Sequence, residues 1–119
     1  MATILVVDDS PTALKAITDT LRGTGHWVIT AMDGDQGLHK ALHEHPDLIL
    51  LDVVMPGKNG FQVCRQLKTA AATKDIKIIL ITSKDQPSDR FWGLKQGADA
   101  YITKPFEEAE LRASVAKCL

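Results

Sequence analysis

Four stretches of the chain end an apolar run in residues that can do chemistry. VVDDS places Asp8 and Asp9, LLDVVMPGKNG places Asp52, LITSK places Thr82 and Ser83, and YITKPF places Lys104 before Pro105. Acids, hydroxyls and an ammonium are the groups that hold hard cations, act as nucleophiles and neutralise developing charge. If these runs are neighbouring strands, the three carboxylates share one crevice. Two carboxylates ~4 Å apart at an effective dielectric of ~20 repel by about 4 kcal/mol, and a third adds to that. Such a cluster must hold protons or bind a cation. Oxygen ligands alone suit Mg²⁺, which takes one or two protein carboxylates and keeps several waters. The first run leads into DDSP and not into a glycine-rich turn, which argues against a nucleotide-phosphate loop.

The elements that must position these groups alternate along the whole chain. TILVV (3–7), WVITA (27–31), DLILL (47–51), KIILIT (77–82) and AYIT (100–103) read as strands, several of them apolar on both faces. Between them lie helical patterns. Ser10 and Pro11 open the first, with Leu14, Ile17 and Leu21 inward and Gly23 or Gly25 at its end. GDQGLHKALHEH is the second, with Leu38, Ala41 and Leu42 inward and Pro46 as its stop. The third runs from about Phe61 to Ala70 over Phe61, Cys64 and Leu67, the fourth over 88–98, and EEAELRASVAKCL closes the chain. Gly93 inside the fourth costs up to ~1 kcal/mol relative to Ala and is expected to loosen it. Trp92 beside it reads as a packing residue. Five strand–helix repeats with right-handed crossovers predict an α/β fold, a doubly wound five-stranded parallel sheet with helices on both faces. In such sheets ligands sit beyond the carboxyl ends of the strands.

A length of 119 residues, 45% hydrophobic with a net charge of −1, fits one domain, taken as 1–119 with no second domain attached. No run approaches the ~20 apolar residues of a membrane span, and no basic leader precedes the first apolar stretch. The expectation is a soluble, cytoplasmic protein, monomeric by default. Balanced charge without a Lys/Arg block argues against nucleic-acid binding as the main role. Cys64 and Cys118 show no metal or redox spacing. His39 and His43 stand i, i+4 but have no third ligand nearby and read as a solvated face.

VVDDS, LLDVVMPGKNG, the IT that ends the fourth strand, and YITKPF together resemble the receiver domain of two-component response regulators. The resemblance spans residues 3 to 119, with each motif on the expected element and in order. The stretch SKDQPSDRFWGLKQGADAYITKPF is closest to receivers of type IV pilus twitching-motility and phototaxis systems. The resemblance implies a flavodoxin-like strand order 2-1-3-4-5 and a stand-alone receiver of the chemotaxis type. It implies that Asp52 accepts a phosphoryl group from a histidine kinase. Asp9, Asp52 and the backbone carbonyl of Val54 would hold Mg²⁺, with Asp8 acting through water. Lys104 would neutralise charge on the transferring oxygens, and Thr82 would bond one of them after transfer. Pro105 would hold the turn that aims Lys104, in a peptide bond that is often cis in the family. Thr82 and Tyr101 would form the switch that changes the face made by the fourth helix, fifth strand and fifth helix. Val54 and Lys84 occupy positions that tune phosphoryl lifetime. An output protein of a pilus or motility apparatus is the expected partner, and the chain is expected to catalyse only its own phosphorylation and dephosphorylation.

Alone, Asp8 and Asp9 would simply cap a helix, and Asp52 would be a turn residue. Their coincidence with Lys104 favours the joint reading. Two other classes compete. An aspartate-nucleophile phosphohydrolase also uses Asp and Mg²⁺, but usually carries a second acid two residues past the nucleophile, where this chain has Val54. A phosphorylation-independent adaptor, or a phosphate sink, would keep the fold and change its use.

Overall fold

The computed structural model describes residues 1–119. Five strands and five helices alternate: β1 (Thr3–Val7), α1 (Pro11–Leu21), β2 (Trp27–Ala31), α2 (Gly34–Glu44), β3 (Leu48–Leu51), α3 (Gly60–Thr69), β4 (Lys77–Thr82), α4 (Pro87–Lys95), β5 (Ala100–Thr103) and α5 (Glu108–Cys118). All strand pairs are parallel, in the order β2-β1-β3-β4-β5. β1 and β3 meet in the middle with Val7 beside Leu51, and β4 pairs Leu80 with the same Leu51.

Because side chains alternate across a strand, each inner strand feeds two cores. Ile4, Val6, Leu48, Leu50, Ile79 and Ile81 pack with Ile17 and Leu21 of α1 and Leu111 and Val115 of α5. Leu5, Val7, Ile49, Leu51, Ile78 and Leu80 pack on the other face with Ala41, Val63, Cys64 and Leu67 of α2 and α3. Burial on both faces explains why β3 and β4 read as unbroken apolar runs. α1, α2 and α3 start on side-chain caps: Ser10 accepts from the Ala13 N–H, Asp33 from the Gln36 N–H, and Asn59 and Gln62 form a reciprocal box.

Three expectations need correction. Leu42 is 47% exposed, because α2 lays its small residues Gly37 and Ala41 on the sheet. α4 begins at Pro87 and ends at Lys95, short of residue 98, because Gly97 turns the chain at φ +102°. Trp92 is 53% exposed and does not pack inward; the buried residue of α4 is Gly93. At the amino-terminal pole of the sheet, Met1 and Ala2 line a shallow groove with His26, Asp47, Cys118 and Leu119.

Candidate functional site

The strand ladder extends one residue past the carboxyl ends of β1, β3 and β5, and those residues are the ones with chemistry. The Asp8 N–H donates to Ala31 O at 3.1 Å, the Asp52 N–H to Val7 O at 2.9 Å, and the Lys104 N–H to Thr82 O at 2.8 Å. Each backbone is therefore fixed by sheet hydrogen bonds before its side chain leaves the core. Side-chain oxygens of Asp8, Asp9 and Asp52 lie within 4.8 Å of one another. Lys104 Nζ sits 2.7 Å from Asp8 Oδ2 and 3.7 Å from Asp52 Oδ2. Asp8 is 1% exposed and takes a second hydrogen bond from the Ser10 N–H at 2.9 Å. Asp52 is 6% exposed and accepts from the Val54 N–H at 3.3 Å. Thr82 is buried, and its hydroxyl oxygen accepts from the Lys84 N–H at 3.3 Å. The Lys104–Pro105 peptide is cis. Asp8, Asp9, Asp52, Lys104 and Pro105 line a cleft of about 570 Å³ that continues between α1 and α5 to Thr20 and Glu108.

The donor set fits Mg²⁺. An octahedral ion with bonds of roughly 2.0–2.1 Å needs neighbouring oxygens about 2.9 Å apart and opposite ones about 4.2 Å apart. The side-chain oxygens of the three acids, within 4.8 Å of one another, stand close to that spacing. One ammonium beside three carboxylates also leaves negative charge for a cation to balance.

Burial pushes the Asp52 carboxyl above the ordinary carboxylate range, Lys104 pulls it back down, and Asp8 pushes it further up. Between the ordinary and the raised value, the folded chain binds more protons than the unfolded one, so stability falls as pH rises through that window and stays lower above it. In EDTA, Asp52→Asn should therefore melt above the wild type near neutral pH, and the gap should close below about pH 4. Thermal unfolding at the two pH values checks this; a variant less stable at both would contradict it.

The residue that sequence reasoning missed is Gly60, the first of α3. Its N–H donates to Val53 O at 2.9 Å, folding the loop after β3 back on itself. A Cβ there would stand 2.1 Å from Asp52 O and 2.7 Å from Val53 Cα, both backbone atoms. The glycine-rich turn was visible in the sequence, but which glycine touches the Asp52 backbone was not. Gly60→Ala should cost about 1–3 kcal/mol in urea unfolding, as overpacking does, and should displace Asp52 with its loop. Unchanged stability would mean that the loop relaxes freely.

Val54, whose carbonyl is expected to serve a metal ion, has an exposed side chain two residues after Asp52. Lys84 Nζ lies 3.9 Å from Asp89 Oδ1. Tyr101 is 3% exposed, and its hydroxyl donates to Lys84 O at 2.7 Å.

The model for the response regulator receiver domain matches residues 4–116. The chain belongs to the response regulator receiver family. Protein PilH of Pseudomonas aeruginosa is 48% identical over 115 residues, covering 97% of this chain and 95% of that protein. Among solved structures, the chemotaxis protein CheY4 of Vibrio cholerae superposes with a TM-score of 0.92 at 32% identity, over 100% of this chain and 99% of that one. The BeF3-activated N-terminal receiver domain of RstA from Klebsiella pneumoniae gives 0.89 at 32% identity, over 97% and 96%. Two-component signalling is thus the setting of this fold and its acid cluster, and no helix is long and apolar enough to cross a membrane.

Proposed function

We propose that this receiver is a phosphorylation switch that works as a single domain, with Asp52 as the acceptor of a phosphoryl group from a histidine kinase. The observation that carries the reading is the one crevice holding three carboxylates and Lys104, with Asp52 on the stiff end of β3. In the transfer, an Asp52 oxygen forms a bond to phosphorus as the bond from phosphorus to the kinase imidazole nitrogen breaks. Asp9, Asp52 and the Val54 carbonyl would hold Mg²⁺, with Asp8 reaching it through water. When bound, the ion neutralises charge on the transferring oxygens, the main demand of phosphoryl transfer. Lys104 supplies the same neutralisation from the other side, and the buried Thr82 hydroxyl turns to donate to a phosphoryl oxygen afterwards. The RstA domain, which is described as BeF3-activated, supports an acceptor site of this kind in the family.

The output would run through the face of α4, β5 and α5. Phosphorylation adds about −1.5 to −2 charge and three acceptor oxygens at Asp52. That shifts Thr82 and Tyr101 between two packings, and partners that read the face then bind one packing better. The 48% identity to PilH and the likeness to the chemotaxis protein CheY4 support a motility output. The near end-to-end match with PilH supports a domain that acts on its own. The test is intact mass after incubation with Mg²⁺ and acetyl phosphate, with an EDTA control. A gain of one phosphoryl group that needs Mg²⁺ supports the switch; no gain in folded protein, at any donor concentration and with a kinase phosphohistidine, would favour the adaptor.

A further inference from the structure

We infer that Gly93 is a positioning residue for Tyr101: only a residue without a side chain lets α4 lie against the sheet while the Tyr101 ring occupies its buried seat. The inference rests on the reading of Tyr101 as part of the switch and adds what holds that ring in place. A Cβ built on Gly93 would stand 2.9 Å from Tyr101 Cδ2, 3.0 Å from Tyr101 Cε2 and 2.9 Å from Leu80 Cδ1. The Leu80 atom is the far end of a flexible side chain and can turn away. The ring cannot yield so easily, because two contacts hold it. Its hydroxyl donates to Lys84 O at 2.7 Å, and the Arg90 guanidinium lies 5.9 Å over its face, itself tied to β5 by a hydrogen bond from Arg90 Nη1 to the Tyr101 backbone O at 3.2 Å. β5 from below and α4 from above therefore close on one ring.

This assigns Gly93 a different part from the loosening of α4 that its helix propensity suggests. The cost of glycine in a helix is accepted here for a close approach between a backbone and an aromatic edge. The consequence reaches the outer surface of α4, where Phe91, Trp92 and Leu94 are all exposed. If the ring leaves its seat, α4 can settle closer to Leu80; if the ring is seated, α4 is held where it is. The position of one aromatic thereby sets the height of the exposed apolar side chains that a partner would touch. With alanine at 93, the seated ring and the seated helix exclude each other.

Tyr101 is the only tyrosine of the chain, so its exposure can be read directly. Tetranitromethane nitrates solvent-accessible tyrosine rings, and nitration of the peptide that carries Tyr101 is followed by mass. Wild type should react slowly, and Gly93→Ala should react at least ~tenfold faster, as a ring released from the interior does. Equal rates in the folded variant would overturn the inference. The second variant pair removes dependence on folding. Gly93→Ala should lower the urea midpoint in the wild-type background and should not lower it in a Tyr101→Val background, where the ring is gone. A cost that persists without the ring would place the constraint at Leu80 or the helix backbone, and the inference would fall. Phosphoryl uptake from acetyl phosphate is measured on the same wild-type sample. Its absence would remove the switch reading, while the nitration result would still report on the seat.

Discussion

Asp52→Asn should take up phosphoryl groups at a rate at least about 100-fold below that of the wild type, followed by intact mass. The neighbouring acids cannot stand in for it. Asp8 is buried, with one oxygen held by Lys104 at 2.7 Å and the other by the Ser10 N–H at 2.9 Å. Both of its oxygens are therefore already engaged, one by an ammonium and one by a backbone N–H. Asp9 is more open, but the ion pairs of Lys104 run to Asp8 and Asp52. Charge developing opposite Asp9 would lack that ammonium. Loss of folding would not account for the result, because removing the Asp52 charge is expected to stabilise the protein near neutral pH. A full mass gain in Asp52→Asn would move the acceptor elsewhere and end the proposed assignment.

Lys104→Met is the second large effect, and it should appear in two measurements. Without Lys104 the buried Asp8 carboxylate faces Asp9 and Asp52 with no counter-charge, and breaking a buried pair from one side typically costs about 3–5 kcal/mol. Urea unfolding in EDTA should show most of that loss. Mg²⁺ should return part of it, since a cation held by the same carboxylates replaces the missing charge. Phosphoryl uptake should still be slow with Mg²⁺ present, by roughly 10²–10³-fold, because the ammonium proposed to bond the transferring oxygens is gone. A variant as stable as wild type in EDTA would mean that solvent reaches Asp8 in place of the lost ammonium. In that case the ion pair would contribute little to either fold or site.

The strands were legible because they carry their own signal. β2, β4 and β5 begin and end where their β-branched and apolar runs do, and the acids and Lys104 stand at the ends those runs predict. The helices were less legible where a helix meets the sheet through small residues. A reading that sends large apolar side chains inward places Leu42 and Trp92 in the core, yet α2 uses Gly37 and Ala41 and α4 uses Gly93 as contact points. Periodicity measures which face is apolar, not how closely two backbones approach. Lys84 illustrates a related gap. Its place two residues after Thr82 is fixed by sequence, but whether its ammonium turns to the cleft or to Asp89 depends on α4, which brings Asp89 within 3.9 Å. Gly60 was legible as a turn residue and not as the support of Asp52, since its contact is with a carbonyl whose position the fold alone sets.

The shared groove of Met1, Ala2, Cys118 and Leu119 lies at the pole where strands begin, and the acid cluster lies where they end. The five residues of β1 separate the two poles by roughly 16 Å. An attachment at either end of the chain, whether a fluorescent reporter, a surface tether or a fused partner, would thus stand behind the sheet and leave the cleft open to a kinase. Joining the two ends with a short linker would also span little distance, so a permuted chain opened in the turn between α1 and β2, where the Thr24 N–H donates to Leu21 O at 3.2 Å, should keep the same cluster of acids in place.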